Sequence, residues 1–528
     1  MGGYKDQNGD VHFIPHFQDA SDFSDGDTLA CVTKDGTSYF LGLSVNLYKI
    51  VIFVTVLTKY CNRFARILKK QTIMSSSKNT FSSKLGVIAA TVGSAVGLGT
   101  VWRFPNEVHD NGGSVFLIAY LICVLLMGIP VMLAEFSLGR GSRADSVGSF
   151  KKMTPNKKWW IVGATAVLAS YIILSFYIVV SGWTLEYFWL SLTGALTAGH
   201  EGVSSPEFYS SIMDEALFTA WNPVFWTFIM IVINMLVLIK GVEKGIERMA
   251  NVLMPLLFVI LVMLCFVSLT LPGAIDGVEF FLKPDWDKMN PSVLISAVGQ
   301  AFFSLSLGMG ILITYSSYYP KKTKLGRTSV IVSSLVFLVA ILMGLIIFPA
   351  MKSFGIEGQT KGASLIFVTL PQIFEAMHGA YIWSLLFFFP LVVAALTSTV
   401  SLGEVVIAFL HKTFGMKRKK ACVITLLPMF ALSAVSSLSL SVWSEYTFFG
   451  MTWFDFLDYV TANLMLPIVA ILICVYVGHI IPKSFLEKEM TNNGSMKSLI
   501  LPTLIFLIRY VSPLLVAAVL LNKFFEFV

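Results

Sequence analysis

The sequence has 528 residues, of which 56% are hydrophobic and only 13% are charged. These proportions exclude a soluble globular protein, because soluble domains carry about 25% charged residues and less apolar material. The formal net charge of +7 comes from lysines and arginines in the loops. It therefore reflects membrane topology, and we expect no nucleic-acid partner.

The first 73 residues differ from the rest of the chain. Residues 1–38 are polar and lack helical periodicity, and the apolar run from Tyr39 to Leu57 is interrupted by Asn46 and Lys49. Two interpretations stay open for this extension. It is either one extra span, or a segment that is not native because translation starts at Met74. We expect the membrane domain to be residues 74–528.

Eleven apolar segments follow Lys84, separated by charged or turn-forming residues. A helix needs about 20 apolar residues to cross the hydrocarbon core of a bilayer. The segments lie near 85–106, 113–138, 159–192, 222–240, 246–270, 293–318, 327–350, 381–410, 421–442, 456–480 and 499–522. The sequence therefore predicts an all-α polytopic membrane protein, with spans 1–5 at about 85–270, spans 6–10 at about 293–480 and span 11 at about 499–522.

Lysine and arginine are divided unevenly between the loops on the two sides. With the segment before Lys84 in the cytoplasm, most of them lie inside. The outward-facing ones are Lys283, Lys288, Lys352 and Lys361. Cytoplasmic loops of membrane proteins are enriched in these residues. We expect a multi-pass protein of the cell inner (plasma) membrane, with the segment before Lys84 in the cytoplasm.

The sequence lacks the motifs of several enzyme and pump classes. Its six cysteines form no Cys-x-x-Cys pair, and no phosphate-binding Gly-x4-Gly-Lys-Ser/Thr loop is present. Nucleophile–base constellations are also missing. We expect no enzyme, no prosthetic group and no pump driven by ATP.

Glycine-rich interruptions lie in the middle of spans 1 and 6, in GSAVGLGT (93–100) and SLSLGMG (304–310). Each glycine costs about 1 kcal/mol relative to alanine in a helix, and lipid cannot bond the backbone that a break frees. One such run could serve close helix packing. Two runs, five spans apart, favour a protein-lined cavity where half-helix ends bind a carboxylate and a cation. This spacing predicts a 5+5 inverted repeat with discontinuous spans 1 and 6, plus an eleventh span.

The third span of each half should face the same cavity. Span 3 carries Tyr177, and span 8 carries four hydroxyl residues at Thr397, Ser398, Thr399 and Ser401. This cluster is larger than helix packing needs. Oxygen ligands without carboxylates suit Na⁺, and we expect this ion to bind in the cavity.

Several longer motifs resemble the neurotransmitter:sodium symporter family, especially its eleven-span bacterial amino-acid transporters. They are GSAVGLGTVWRFP (93–105), NGG (111–113), GIPVMLAEFSLGR (128–140), GQAFFSLSLGMG (299–310), ITYSSY (313–318) and ALTS (395–398). The resemblance covers residues 80–520 and implies that the 74–528 domain is a transporter.

The resemblance implies two sodium sites. The second site would use the carbonyls of Gly93, Val96 and Ala394 and the hydroxyls of Thr397 and Ser398. The first site would use Ala95, Thr100 and Ser304. It departs from the family pattern, because Thr100 replaces the usual asparagine and Val336 aligns with an expected Asn or Asp on span 7.

The implied substrate is a hydrophobic or aromatic α-amino acid. Monoamine carriers have an aspartate at the position of Gly97, so here the substrate would bring its own carboxylate. This group would meet the backbone of Leu98 and Gly99 and the Tyr177 hydroxyl. The remaining pocket residues would be Ala95, Ile173, Phe303, Ser304, Ser306, Met309, Ser398 and Leu402.

The resemblance also implies two gates. At the outer gate, Arg103 would pair with Asp458, or with Asp455 nearby, and Phe303 would form the lid. At the inner gate, Lys78 would be the basic partner and Tyr318 would contribute. The expected inner aspartate aligns with Lys412, so the carboxylate that completes this gate cannot be named from the sequence.

Together these residues predict a sodium-coupled symporter that imports a hydrophobic or aromatic amino acid by alternating access. The alternative is a non-transporting amino-acid sensor on the same scaffold. The partners of the protein would be a small-molecule amino acid and the lipid bilayer, and the protein would act as a monomer or a homodimer.

Overall fold

The structure is a computed structural model of the whole chain. It describes four strands at residues 2–5, 11–14, 30–34 and 37–41, and residues 80–197, 204–355, 363–377, 379–492, 494 and 501–527. Lys78, expected above as an inner-gate residue, lies outside the described residues. So does most of the Tyr39–Leu57 run considered as an extra span.

Four short strands near the N-terminus form an antiparallel sheet. They are β1 Gly2–Lys5, β2 Val11–Ile14, β3 Ala30–Lys34 and β4 Thr37–Leu41, arranged in the order β2-β1-β3-β4. In the register of the sheet, Gly2 pairs with Ile14, Gly3 with Cys31 and Ala30 with Leu41. The predicted all-α class applies to the membrane domain that follows.

Among the residues that the structure describes, the membrane domain has nine continuous spans and two broken ones. The broken spans are 1a Lys84–Ala95 with 1b Gly99–Asp110, and 6a Pro291–Ser304 with 6b Ile311–Ser316. The continuous spans are 2 Ser114–Ser142, 3 Trp160–Thr193, 4 Asn222–Ile239, 5 Val242–Leu269, 7 Leu325–Phe354, 8 Ala380–Thr413, 9 Arg418–Leu438, 10 Trp453–Ile480 and 11 Leu501–Asn522. Short loop helices cover Ser146–Met153, Ala195–Thr197, Ser205–Phe218, Ala274–Leu282, Trp286–Lys288, Leu365–Ala376 and Lys483–Met490.

Both predicted helix breaks are present. Spans 1a and 1b meet at an angle of 55°. Spans 6a and 6b contain 14 and 6 residues, together about 30 Å of helix, which is the thickness of the hydrocarbon core. Spans 1–5 precede the loop before span 6a, and spans 6–10 form the second half after it. Because each half has an odd number of spans, the two halves have opposite orientations. The predicted fold class, with its 5+5 inverted repeat and eleventh span, is confirmed.

The backbone of the span 6 break adopts left-handed conformations. Ser306 has a φ of 54°, and Gly308 and Gly310 have φ values of 75° and 71°. Glycine adopts such angles freely, whereas a serine does so at a cost and needs support from its surroundings. The backbone of this break therefore depends on glycines at positions 308 and 310 and on contacts that support Ser306.

Lipid-facing and protein-facing spans differ in burial. Spans 4, 5 and 9 expose large apolar side chains such as Phe225, Phe266 and Leu427. Span 8 is far more enclosed, and Ala394, Thr399 and Glu404 on it are fully buried. Polar side chains therefore concentrate in the interior around spans 1, 6 and 8, where protein groups can satisfy them.

Candidate functional site

A narrow cavity lies where the two broken helices meet spans 3 and 8. The space open to the centre of a water-sized sphere is about 20 Å³, about enough for one water molecule. The cavity is lined by Ser94, Ala95, Gly97, Gly99, Ile173, Tyr177, Phe303, Ser306, Met309, Ile311, Ser398 and Leu402. Ten of the twelve substrate residues expected from the sequence lie here. Ser94 and Ile311 were missed.

One end of the cavity offers hydrogen-bond donors from the break in span 1. The backbone N–H of Leu98 donates to the Tyr177 hydroxyl over 2.8 Å. A Cβ atom on Gly97 would lie only 2.3 Å from Ser398 Oγ and 2.6 Å from the Tyr177 hydroxyl. This end therefore has no room for a side chain at position 97.

Phe303 covers the other side of the same break. A Cβ atom on Gly99 would lie 2.2 Å from Cδ1 of its ring. The glycine thus lets the aromatic ring rest directly against the span 1 backbone. This close approach is the physical reason for glycine at position 99.

The unwound stretch of span 6 is held by side chains from other spans. Ser306 donates to the Ser94 carbonyl over 2.8 Å. Glu135 of span 2 accepts a hydrogen bond of 2.8 Å from the Gly308 N–H. The Ser170 hydroxyl donates to the Met309 carbonyl. These contacts explain how the left-handed backbone is stabilised, and sequence patterns gave no signal for Ser170.

The residues expected at the second sodium site lie at the end of span 1a and on span 8, two helices that pack against each other. Thr397 Oγ1 lies 3.1 Å from the Ala394 carbonyl oxygen, to which it donates. A Cβ atom on Gly93 would be 3.4 Å from Cβ of Thr397. Ser398 Oγ is buried with no hydrogen bond of good geometry among the described residues, and it faces Gly97. Thr397 and Ser398 thus lie beside Gly93 and Gly97 of span 1, and carbonyl and hydroxyl oxygens are the ligands that a small hard cation requires.

The first sodium site is less complete. Thr100 Oγ1 lies 3.4 Å from the Ala95 carbonyl, so two expected ligands are adjacent. The Ser304 hydroxyl is instead bonded to the Tyr120 hydroxyl of span 2 at 2.7 Å and does not line the cavity. Val336, where the family pattern has an amide or acid, is fully buried and apolar. No side-chain oxygen is available from that position.

Gln300 is a further residue that the sequence analysis missed. Its Nε2 donates to the Gly99 carbonyl over 2.7 Å, and the side chain is fully buried. It therefore ties span 6a to span 1b just outside the cavity. Nothing in the local pattern of span 6a distinguishes this glutamine from a packing residue.

The outer-gate residues are arranged differently from the expectation. Arg103 Nε pairs with Glu107 Oε1 at 3.3 Å, one turn along the same helix. Its guanidinium carbon also lies 5.3 Å from the centre of the Phe303 ring. Within the described ranges, no ion pair joins Arg103 to Asp458. The predicted cation and lid are thus together, while the predicted acid is not bonded to them.

Tyr318, predicted as an inner-gate residue, contacts a carboxylate that the sequence analysis did not name. The Tyr318 hydroxyl donates to Glu404 Oε1 over 2.8 Å. The same carboxylate accepts two hydrogen bonds from the Arg418 guanidinium, of 3.1 and 2.5 Å. Arg418 in turn donates to the Leu238 carbonyl over 2.8 Å. Glu404 therefore joins spans 8 and 9 to the residues that follow span 6b, on the side predicted to face the cytoplasm.

We predict that Glu404→Gln destabilises the protein by about 3 kcal/mol. The glutamine can still bond Tyr318, but it leaves the mostly buried Arg418 cation without a counter-charge. Thermal unfolding of the purified protein in detergent measures this effect. Glu445→Gln is the matched control, because Glu445 is exposed. Equal unfolding midpoints for the two variants would contradict the prediction.

A second buried acid binds the residues at the start of span 1a. Glu247 of span 5 accepts hydrogen bonds from the backbone and hydroxyl of Ser82, of 2.8 Å each, and from the Ser83 hydroxyl at 3.0 Å. A carboxylate is favourable at a helix N-terminus. Span 5 thereby holds the N-terminal end of span 1a.

Known proteins share this architecture. The sequence profile of the sodium:neurotransmitter symporter family matches residues 78–217 and 210–528. The sodium-dependent transporter YhdH of Bacillus subtilis is 35% identical over 442 residues, 84% of this chain and 97% of that protein. A sodium-dependent transporter of Haemophilus influenzae is 33% identical over 468 residues, 86% of this chain and all of that protein.

Among solved structures, the crystal structure of MhsT in complex with L-phenylalanine matches with a TM-score of 0.78 and 38% identity. The match covers 85% of this chain and 100% of that chain. The family resemblance that the motifs indicated is confirmed. The chain belongs to the sodium:neurotransmitter symporter family and is a sodium-dependent membrane transporter.

Proposed function

We propose that the protein imports a hydrophobic or aromatic α-amino acid together with Na⁺, by alternating access, across the cell inner membrane. The observation that carries this proposal is the bond between the Leu98 N–H and the Tyr177 hydroxyl, at a helix break beside an otherwise apolar cavity. The likeness to MhsT, which was crystallised with L-phenylalanine, supports the same substrate class.

The polar end of the cavity suits a carboxylate. The start of span 1b presents backbone N–H groups, and helix N-termini carry a partial positive charge. Position 97 has no room for an acidic side chain that would pair with a bare amine. The substrate would therefore supply the carboxylate, and its ammonium group would meet the carbonyls near Ala95 and Phe303.

The other end of the cavity suits an apolar side chain. Ile173, Met309, Ile311 and Leu402 line it, together with the Phe303 ring. The open space is far smaller than an amino acid, so Phe303 and Met309 would turn aside when the substrate enters. The flexible thioether of Met309 adapts readily to large or aromatic groups.

One sodium ion is sufficient for uphill transport. Moving it down 100 mV and a tenfold gradient releases roughly 3.7 kcal/mol, which concentrates a zwitterion several hundredfold. We assign this ion to the oxygens of Gly93, Val96, Ala394, Thr397 and Ser398. The first site, with Val336 in place of an oxygen ligand, would bind Na⁺ only weakly.

Uptake of a radiolabelled amino-acid panel into proteoliposomes tests the proposal. We expect sodium-stimulated accumulation of at least one large apolar amino acid, and little accumulation of acidic or basic ones. A chain that binds an amino acid in the presence of sodium without accumulating it would support the sensor alternative. Absence of both binding and uptake for every amino acid would overturn the proposed substrate class.

A further inference from the structure

Span 11 carries a cation, Arg509, within its apolar sequence. The span, Leu501–Asn522, contains no acidic residue. Span 10, which packs against it, has its two acids, Asp455 and Asp458, near its N-terminal end. Both acids are about 30 Å along the helix from Gly478, the residue of span 10 that Arg509 contacts. The two spans therefore offer no counter-charge close to Arg509.

Arg509 also lacks a hydrogen-bond partner among the described residues. Its Nε is enclosed by protein and has no acceptor there, and no ion pair to this side chain is found in the same part of the chain. A guanidinium is always charged and carries several N–H donors. Charged side chains of membrane helices pair with an acceptor or reach the lipid headgroups, because an unpaired charge away from water is unfavourable. The acceptor of Arg509 therefore has to come from outside the described part of the chain.

The stem of Arg509 lies in a groove on span 10 that a glycine leaves open. A Cβ atom on Gly478 would be 3.0 Å from Cγ of Arg509 and 3.3 Å from its Cα. Each residue lies in a π turn, Tyr476–Ile480 in span 10 and Leu507–Val511 in span 11, and the two turns contact each other. Turns of this kind are frequent at functional sites. The side chain is thus positioned at the seam of the two helices, although no described residue bonds to its charge.

The groove lies near the membrane surface. Gly478 is two residues before Ile480, where span 10 ends, on the side predicted to face the cytoplasm. Span 11 begins on this same side, and long side chains on a helix lean towards its N-terminus. These two facts place the guanidinium of Arg509 at the level of the lipid headgroups, with its apolar stem below them. The acceptor that is abundant at that level is the phosphate of a phospholipid.

An exposed apolar stripe lies beside Arg509 on span 11. Phe506, Tyr510 and Leu514 are spaced by four residues, so they share one face of the helix, and each is about half or more exposed. The Tyr510 ring also contacts the ring of His479 of span 10, with centroids 5.7 Å apart. Apolar side chains on the outside of a span contact acyl chains, and tyrosine prefers the headgroup boundary. A soluble anion could use the guanidinium, but only a lipid could use this exposed stripe as well.

We propose that Arg509 binds the phosphate of an anionic phospholipid in the groove beside Gly478, with an acyl chain along the exposed stripe of span 11. The planar guanidinium can donate two parallel hydrogen bonds to one phosphate. A net-negative lipid is preferred, because no acid of spans 10 and 11 balances the cation nearby and a zwitterionic headgroup brings a cation of its own. The lipid is bound and not carried, so this site goes beyond the proposed function and does not depend on the transported amino acid.

Titration of the purified full-length protein with lipid, followed by native mass spectrometry, tests this site. Dioleoyl phosphatidylglycerol is the anionic probe, and phosphatidylcholine with the same acyl chains is the zwitterionic one. We expect the parent to bind phosphatidylglycerol about tenfold more tightly than phosphatidylcholine. Arg509→Met should raise the Kd for phosphatidylglycerol about tenfold, because it removes the charge-assisted hydrogen bonds. Arg509→Lys keeps the charge without the planar fork and should raise this Kd about threefold.

Lys488→Met is the matched control, because Lys488 is exposed on the loop helix that follows span 10 and loses the same charge on the same side. It should bind phosphatidylglycerol as the parent does. Equal Kd values for Arg509→Met and Lys488→Met would overturn the proposal. So would weaker binding that a lower unfolding midpoint fully explains, or displacement of phosphatidylglycerol by excess inorganic phosphate, which would show a site for a soluble anion. Binding is measured without transport, so a parent chain that fails to take up amino acids counts against the proposed function alone.

Discussion

Replacing Gly97 with alanine is expected to reduce amino-acid uptake by about 100-fold, in line with the cost of overpacking a filled site. The added Cβ would lie 2.3 Å from Ser398 Oγ and 2.6 Å from the Tyr177 hydroxyl. Both distances are well below van der Waals contact. The methyl group would push these hydroxyls away from the place where the substrate carboxylate is proposed to bind. Initial uptake rates in proteoliposomes, at several substrate concentrations, measure the effect.

Gly326→Ala is the matched control for this variant. Gly326 lies in the first turn of span 7, and a Cβ atom there would meet nothing within 4 Å. Alanine favours helices over glycine by about 1 kcal/mol, so this variant should transport normally and be no less stable. If Gly97→Ala transports as well as Gly326→Ala, the substrate carboxylate does not bind at position 97.

The double variant Thr397→Ala, Ser398→Ala is expected to lower the apparent affinity for sodium by about 100-fold. It removes the two side-chain oxygens among the five proposed ligands. A hydrogen bond or ligand to a charged group contributes about 1.5–3 kcal/mol, so losing two has a large effect. The sodium dependence of uptake at a fixed substrate concentration measures it.

Thr399→Ala controls for the removal of a hydroxyl from span 8. Thr399 is fully buried, and its hydroxyl donates to the Leu396 carbonyl of its own helix over 3.0 Å. It should leave the sodium dependence of uptake unchanged. A double variant with normal sodium dependence would show that the coupling ion binds elsewhere, and the first site would then be the remaining candidate.

The two proposed sodium sites differ in how far the sequence could predict which of their residues lie close together. The hydroxyls of Thr397 and Ser398 lie on one helix near Ala394, so their proximity follows from helical geometry. The first site needs residues from spans 1, 6 and 7. There the structure bonds Ser304 to Tyr120, a residue 184 positions away, and no local pattern could predict that partner.

The contacts of the gate residues could be predicted less completely than the lining of the cavity, for the same reason. The cation of the outer gate could be predicted, because Arg103 is a costly charge next to a helix break. Its partner could not, since Glu107 competes with Asp458 and only the folded geometry decides between them. Glu404 lies within the predicted span 8, yet its pairing with Arg418 and Tyr318 depends on how the helices around it pack.

The sequence by itself determined the class of protein, the eleven spans and both helix breaks. Hydropathy, loop charge and glycine runs are local properties. They depend on how one segment interacts with lipid or water and on the conformations open to its own backbone. Only the tertiary structure decided which hydroxyls face the cavity and which side chains Glu404 binds. These interactions join side chains far apart in sequence, and their energies depend on distances that only helix packing sets.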